Sequence, residues 1–128
     1  MENKPLSPHL QIYRPQLTSV LSITHRATGI FLGTAGLFVF IVWIASIALG
    51  PATYESTVNY LRHPIMKSLL FLWTISFYYH LSNGIRHLIW DAGWGFNLTT
   101  AYKSGYVVLT STITFTLITW AYVFFGTK

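Results

Sequence analysis

Residues 27–49 contain no charged side chain. A helix rises ~1.5 Å per residue and a bilayer core is about 30 Å thick, so roughly 20 such residues suffice to cross it. Two more stretches meet the same length. Residues 68–90 keep their polar side chains in the second half, and residues 106–125 are again uncharged. Only 9% of the whole chain is charged, where soluble domains carry roughly 25%. The expected fold is therefore an all-α integral membrane domain of three transmembrane helices, with residues 1–26 as an amino-terminal interfacial segment and residues 1–128 forming one domain. Gly50 and Pro51 end the first span and Pro64 precedes the second, so residues 50–67 read as a loop; residues 92–105, with three glycines, read as a second one.

Thr110, Thr112, Thr114 and Thr116 alternate as in a strand, but a membrane barrel needs at least about eight strands and nothing else supplies them. Hydroxyls bonding back to their own helix are the simpler reading. The first 26 residues lack the apolar core of a cleavable signal and the bias of a transit peptide, so the first helix is expected to direct its own insertion. Lys4, Arg14, Arg26, Arg86 and Lys103 fall on the amino-terminal side and Arg62, Lys67 and Lys128 on the other, which favours an inside amino terminus. In a three-span chain, the start of the first helix and the end of the second also share a leaflet.

The net charge of +5 rests on too few cations to coat a nucleic-acid groove. The absence of cysteine excludes disulfides, thiolate zinc, iron–sulfur clusters and thiolate-bound or covalently attached haem. Any redox cofactor must hang on histidine or methionine. On the first helix, Ser22, Arg26, Gly29, Gly33 and Gly36 fall within roughly 80° at helical spacing, with His25 at the edge. A face with so little bulk admits a neighbouring helix or a flat ligand.

On the second helix, Ser76, His80, Asn83, Gly84, His87 and Asp91 are placed on one face, and His80 lies well inside the apolar span. An intramembrane ionisable group is a functional candidate, although a lone histidine also occurs as a hydrogen-bonded core residue. His80 and His87 are about 10.5 Å apart along the axis, whereas two nitrogens on one iron stand about 4 Å apart at ~2 Å per bond. They cannot be axial partners. The consistent assignment gives His80 to a haem iron, leaves His87 to a propionate and uses Gly84 as room for the macrocycle edge. The second axial ligand then comes from another chain. Zinc fits worse, because no second ligand stands at i+3 or i+4 from His80.

The segments Lys4 to Leu10, Ser22-Ile23-Thr24-His25-Arg26-Ala27-Thr28-Gly29 and His80 to Asp91 resemble the signature segments of the cytochrome b556 subunit family of succinate dehydrogenase. Lys4 departs from it, since an arginine is usual before Pro5. The resemblance implies a membrane anchor of respiratory complex II that binds one haem b, shared with a second membrane anchor subunit, and ubiquinone as substrate. A flavoprotein subunit and an iron–sulfur subunit are the other implied partners. It makes His80 an axial haem ligand, Ser22 and Arg26 quinone-site residues, and His25, Arg26 and His87 the neighbourhood of the haem propionates. A bacterial cytoplasmic membrane is the expected location, or else an organelle-encoded place in the mitochondrial inner membrane. Two alternatives stay open: a fumarate reductase anchor, and a non-redox proton-conducting scaffold in which His80, His87 and Asp91 form a relay. Independent enzymatic activity is not expected from the chain alone.

Overall fold

The computed structural model describes residues 15–126; the Lys4–Leu10 segment, Arg14 and Lys128 lie outside the described residues. Five α-helices succeed one another: α1 (Leu17–Phe31), α2 (Leu37–Ala48), α3 (Pro51–Leu61), α4 (Pro64–Asp91) and α5 (Leu98–Ala121). A π-turn over Leu32–Gly36 joins α1 to α2 without a break, and a second one, Tyr122–Gly126, extends α5. The rods Leu17–Ala48 and Leu98–Gly126 are both long and apolar enough to cross a membrane. Helix α4 has 28 residues, or about 42 Å at ~1.5 Å each. Its second half carries the polar groups that dilute its hydropathy.

The alternating threonines lie on a helix, as the back-bonding reading requires. Thr110 donates to Tyr106 O at 3.0 Å and Thr112 to Val108 O at 2.7 Å. Thr114 is exposed, and the buried Thr116 hydroxyl has no partner among the described residues.

Two segments expected to be loops are largely helical. Residues 50–67 hold α3, because Gly50, at φ 103°, turns the chain out of α2 and Pro51 then starts a new helix at its first position. A proline there loses no hydrogen bond, since that N–H has no helical partner anyway. Helix α5 starts at Leu98 rather than near 106, leaving a short link. That link opens with a Schellman turn: Gly93 N bonds Trp90 O at 2.8 Å, Trp94 N bonds Ile89 O at 3.2 Å, and Gly93 sits at φ 89°.

Helix α4 is the central element. Helix α1 runs antiparallel to it, with its start beside the end of α4, and α5 is antiparallel to α4 on another side. Gly105 lets α5 close on α1, where a Cβ would stand 2.9 Å from Leu21 Cδ1. Beyond the π-turn, α2 makes no close backbone approach to α4. The interior is polar for its size. Among the described residues the buried apolar side chains are Leu21, Tyr79, Ala101 and Val108, while Ser46, Asn83, Arg86, Thr112 and Thr116 are buried with them. Ile30, Phe38, Leu88, Val107 and Leu117, by contrast, are all more than half exposed. Apolar outside and polar inside is the pattern of helices surrounded by lipid or partner helices.

Because a Cβ at Gly93 meets nothing within 4 Å, the cost of Gly93→Ala is one of backbone alone. It should destabilise the helical domain by about 1 kcal/mol, read as a lower midpoint of thermal unfolding by circular dichroism in detergent.

Candidate functional site

The site is organised by His80, in the polar second half of α4. Its Nδ1 lies 3.1 Å from the His25 carbonyl oxygen and 3.3 Å from Thr28 Oγ1. Donation to that carbonyl puts the proton on Nδ1 and leaves the Nε2 lone pair free. The imidazole lies flat on that of His25, with ring centroids 4.0 Å apart and planes 9° from parallel. His87 joins the same group at 5.1 Å from His25, and stands edge-on to Trp90. Three expected residues, His25, His80 and His87, are thus brought together.

Gly29 makes this contact possible. A Cβ there would come within 2.9 Å of His80 Cε1. Gly36 plays the same part further along, where a Cβ would run into the Trp73 indole. Gly33 faces open space between them. The three glycines form one wall of a cavity of about 500 Å³, completed by Leu32, Leu37, Phe40, Trp73, Phe77, His80 and Leu81. Ligand cavities commonly span about 300–1,000 Å³. It is apolar apart from His80 and the Trp73 edge, which suits a flat, largely apolar ligand with one metal-bound nitrogen.

These observations fit a b-type haem. The chain offers a histidine oriented through its second nitrogen, as metal-bound histidines usually are, a wall without side chains beside it, and an orphaned polar atom. His25 Nε2 is buried and has no hydrogen-bond partner. A propionate oxygen would satisfy it. Among the described residues no group of three or more His, Asp or Glu side chains is placed to hold a metal ion.

Several expectations need correction. Gly84 does not line the cavity; a Cβ on it would make an ordinary contact with His25 Nε2 at 3.6 Å. Asn83 shares with His80 the side of α4 that meets α1, but it does not line the cavity. It is fully buried toward α1 and α5, where its Nδ2 donates to Leu21 O at 3.2 Å. Ser76 bonds back to Leu72 O, and Asp91 is exposed. Ser22 and Arg26 stand on the same helix as the glycines but do not line the cavity; Ser22 is half-buried and Arg26 exposed at the outer end of α1.

From the sequence, Arg86 reads only as an orienting charge. In the fold it is 4% exposed and reaches Ser104 Oγ and Ala101 O, each at 2.9 Å, and Asn83 Oδ1 at 3.2 Å, with its guanidinium 4.0 Å from the centre of the Trp90 ring. Tyr79, which the sequence does not single out, donates to Leu21 O at 2.7 Å. Only their place on α4, within one turn of His80 and Asn83, gives a signal.

Residues 1–119 match the family described as succinate dehydrogenase/fumarate reductase transmembrane subunit. The chain is 38% identical over 122 residues to the succinate dehydrogenase cytochrome b560 subunit of Reclinomonas americana, covering 92% of this chain and 85% of that one. It is 42% identical over 120 residues to the cytochrome b556 subunit of Rickettsia prowazekii, covering 91% and 90%. A third relative is the mitochondrial cytochrome b560 subunit of Homo sapiens, 39% identical over 125 residues, which are 87% of this chain and 66% of the human one.

Gly29→Val places methyl groups where His80 now stands. It should separate α1 from α4 and abolish copurification of any red chromophore, measured as visible absorbance per mole of chain. Gly33→Ala, on the open part of the same wall, should retain most of it.

Proposed function

From the premise that this chain belongs to the succinate dehydrogenase/fumarate reductase transmembrane subunit family, we propose that it is the haem b- and ubiquinone-binding anchor of a succinate:quinone oxidoreductase. The observation that carries the reading is His80, with Nδ1 held by the His25 carbonyl and Nε2 free beside a glycine-walled cavity. In this reading α4 is the third membrane span. A second anchor subunit covers the exposed apolar faces and would supply a further protein ligand to the iron. Flavoprotein and iron–sulfur partners deliver electrons from succinate to quinone at the membrane edge. The location is a bacterial cytoplasmic membrane, or a mitochondrial inner one, with the amino terminus inside.

Haem, when bound, would supply a one-electron couple. The protein's own residues do the rest. His80 holds the iron in the orientation that its Nδ1–H bond fixes. His25 Nε2 and His87, nearer the end of α4, receive the propionates. Ser22 donates its hydroxyl to a quinone oxygen, and Arg26 supplies a fixed cation as that oxygen gains negative charge. Arginine keeps its proton at any working pH, which suits a half-wet border. Arg26 is exposed and has no ion-pair partner among the described residues, so its guanidinium is available to a ligand. The same arrangement fits the anchor of a fumarate reductase, which the family description also covers.

His80→Ala in the assembled complex should perturb or remove the reducible b-type absorbance, while His63→Asn, at the cap of α4 where His63 Nδ1 accepts from Ile65 N, should leave it intact. An unchanged spectrum in His80→Ala would reject the ligand assignment, and a colourless wild-type complex would favour a non-redox scaffold. Arg26→Leu should lower quinone reduction by ~10² to 10³, and Ser22→Ala by less because water can substitute. Succinate oxidation by an artificial dye, which draws electrons upstream, should be spared. Equal loss in both assays would mean failed assembly, and normal quinone reduction in Arg26→Leu would remove that residue from the site.

A further inference from the structure

Arg86 has no role in the function proposed above, yet it is the most deeply buried charge among the described residues. Its acceptors are a serine hydroxyl, a backbone carbonyl and an asparagine oxygen. Among the described residues no carboxylate pairs with it. A buried cation held only by neutral dipoles is costly to keep, and simple helix packing is achieved more cheaply by apolar side chains.

The geometry shows what the arginine does for its neighbours. An asparagine amide can sit either way round, and the guanidinium at Asn83 Oδ1 selects one of them. The Nδ2 end must then face α1, where it meets Leu21 O. Tyr79 donates to that same oxygen. Leu21 O is also the helical acceptor for the His25 N–H, four residues on. One turn further along α1, the His25 carbonyl receives His80 Nδ1. Two successive rungs of α1 are therefore gripped by α4, one at Leu21 and one at His25, and Arg86 ties the first rung to α5 through Ala101 and Ser104.

We propose that Arg86 is a positioning residue: acting through Asn83, it sets the height and rotation of the α1 turn that carries Ser22, His25 and Arg26 against His80. The inference rests on the assignment of Ser22 and Arg26 to quinone and His80 to haem. A slip of one residue along α1 would move Ser22 by about 1.5 Å and turn it by about 100°. Misplacement of about 1 Å is enough to cost ~10² in a positioned reaction.

The test uses the whole complex in membranes. Asn83→Asp keeps the shape and the partner of Arg86, but it presents an oxygen to the Leu21 carbonyl in place of a donor. Tyr79→Phe removes the other donor, and Arg86→Lys keeps the charge while losing the fork that spans three acceptors. Dye-linked succinate oxidation and haem content report assembly. Asn83→Asp is expected to raise KM for a short-chain quinone about tenfold with kcat less affected. It should also shift the low-spin haem electron paramagnetic resonance signal, because the His80 ring is turned by the carbonyl that moves with α1. Tyr79→Phe and Arg86→Lys should shift both in the same direction by less, and Arg86→Leu by more than Arg86→Lys. If Ser22→Ala impairs quinone reduction but the assembled Asn83, Tyr79 and Arg86 variants leave KM and the resonance signal unchanged, the positioning role is wrong. If Ser22→Ala and Arg26→Leu have no effect either, the quinone assignment itself is wrong. Should Asn83→Asp fail to assemble, Tyr79→Phe and Arg86→Lys decide the matter by the same two readings.

Discussion

The bond from the His80 ring to the His25 carbonyl, 3.1 Å long, requires α1 and α4 to approach closer than two ordinary helix faces can. Gly29 removes the side chain that would intervene. With the ring seated there, the His25 imidazole stacks on it. Everything at this end of the molecule depends on the contact: the tautomer of His80, the free Nε2 and the side of α4 on which a cavity can open. Helices in lipid gain little from burying apolar surface, so close packing at small residues and interhelical hydrogen bonds decide how they pair. Here a single histidine uses both.

The same constraint explains the polar interior. Hydroxyls between α4 and α5 meet one another, as Ser111 with Ser82 and Tyr78 with Thr119, or bond back to their own helix. A few buried donors stay unmatched. Trp73 Nε1 belongs to a residue that lines the cavity, while His25 Nε2 lies further back, where α1 is packed on α4. Unmatched buried groups are expensive in a low-dielectric setting.

Much of this is legible in the sequence because the informative signals are local. Uncharged runs mark the two most apolar rods, and an apolar span interrupted by His80 marks the residue around which the candidate site is organised. The glycine stripe of Gly29, Gly33 and Gly36 marks a thin wall. Where the sequence misleads, the cause is context. Pro51 reads as a breaker, although proline at a first helical position starts a helix as readily as it stops one. Arg86 reads as a border charge, the usual fate of arginine near a membrane edge. Its burial depends on Ala101 and Ser104, 15 and 18 residues away on another helix. Helical spacing alone places Asn83 beside His80 on the side that meets α1, and it cannot tell which of the two is wholly buried and which borders a cavity.

The π-turn at Leu32–Gly36 has no signature beyond its glycines, yet it divides the work of the first rod. A regular helix would continue α2 along α4 in the register that α1 sets. An i→i+5 turn adds a residue and re-aims the helix beyond it, and such turns recur at functional sites. The consequence here is that Gly36 closes on Trp73 while Gly33 stays open, and α2 then departs from α4. The cavity spans the change of register, its wall running from Gly29 through the turn to Phe40. A rod that packed uniformly would grip α4 along its whole length and leave no room beside His80. One that splayed from its start would lose the His25 carbonyl. The turn permits a tight end, where residues are held in place, and a loose end, where a ligand has space.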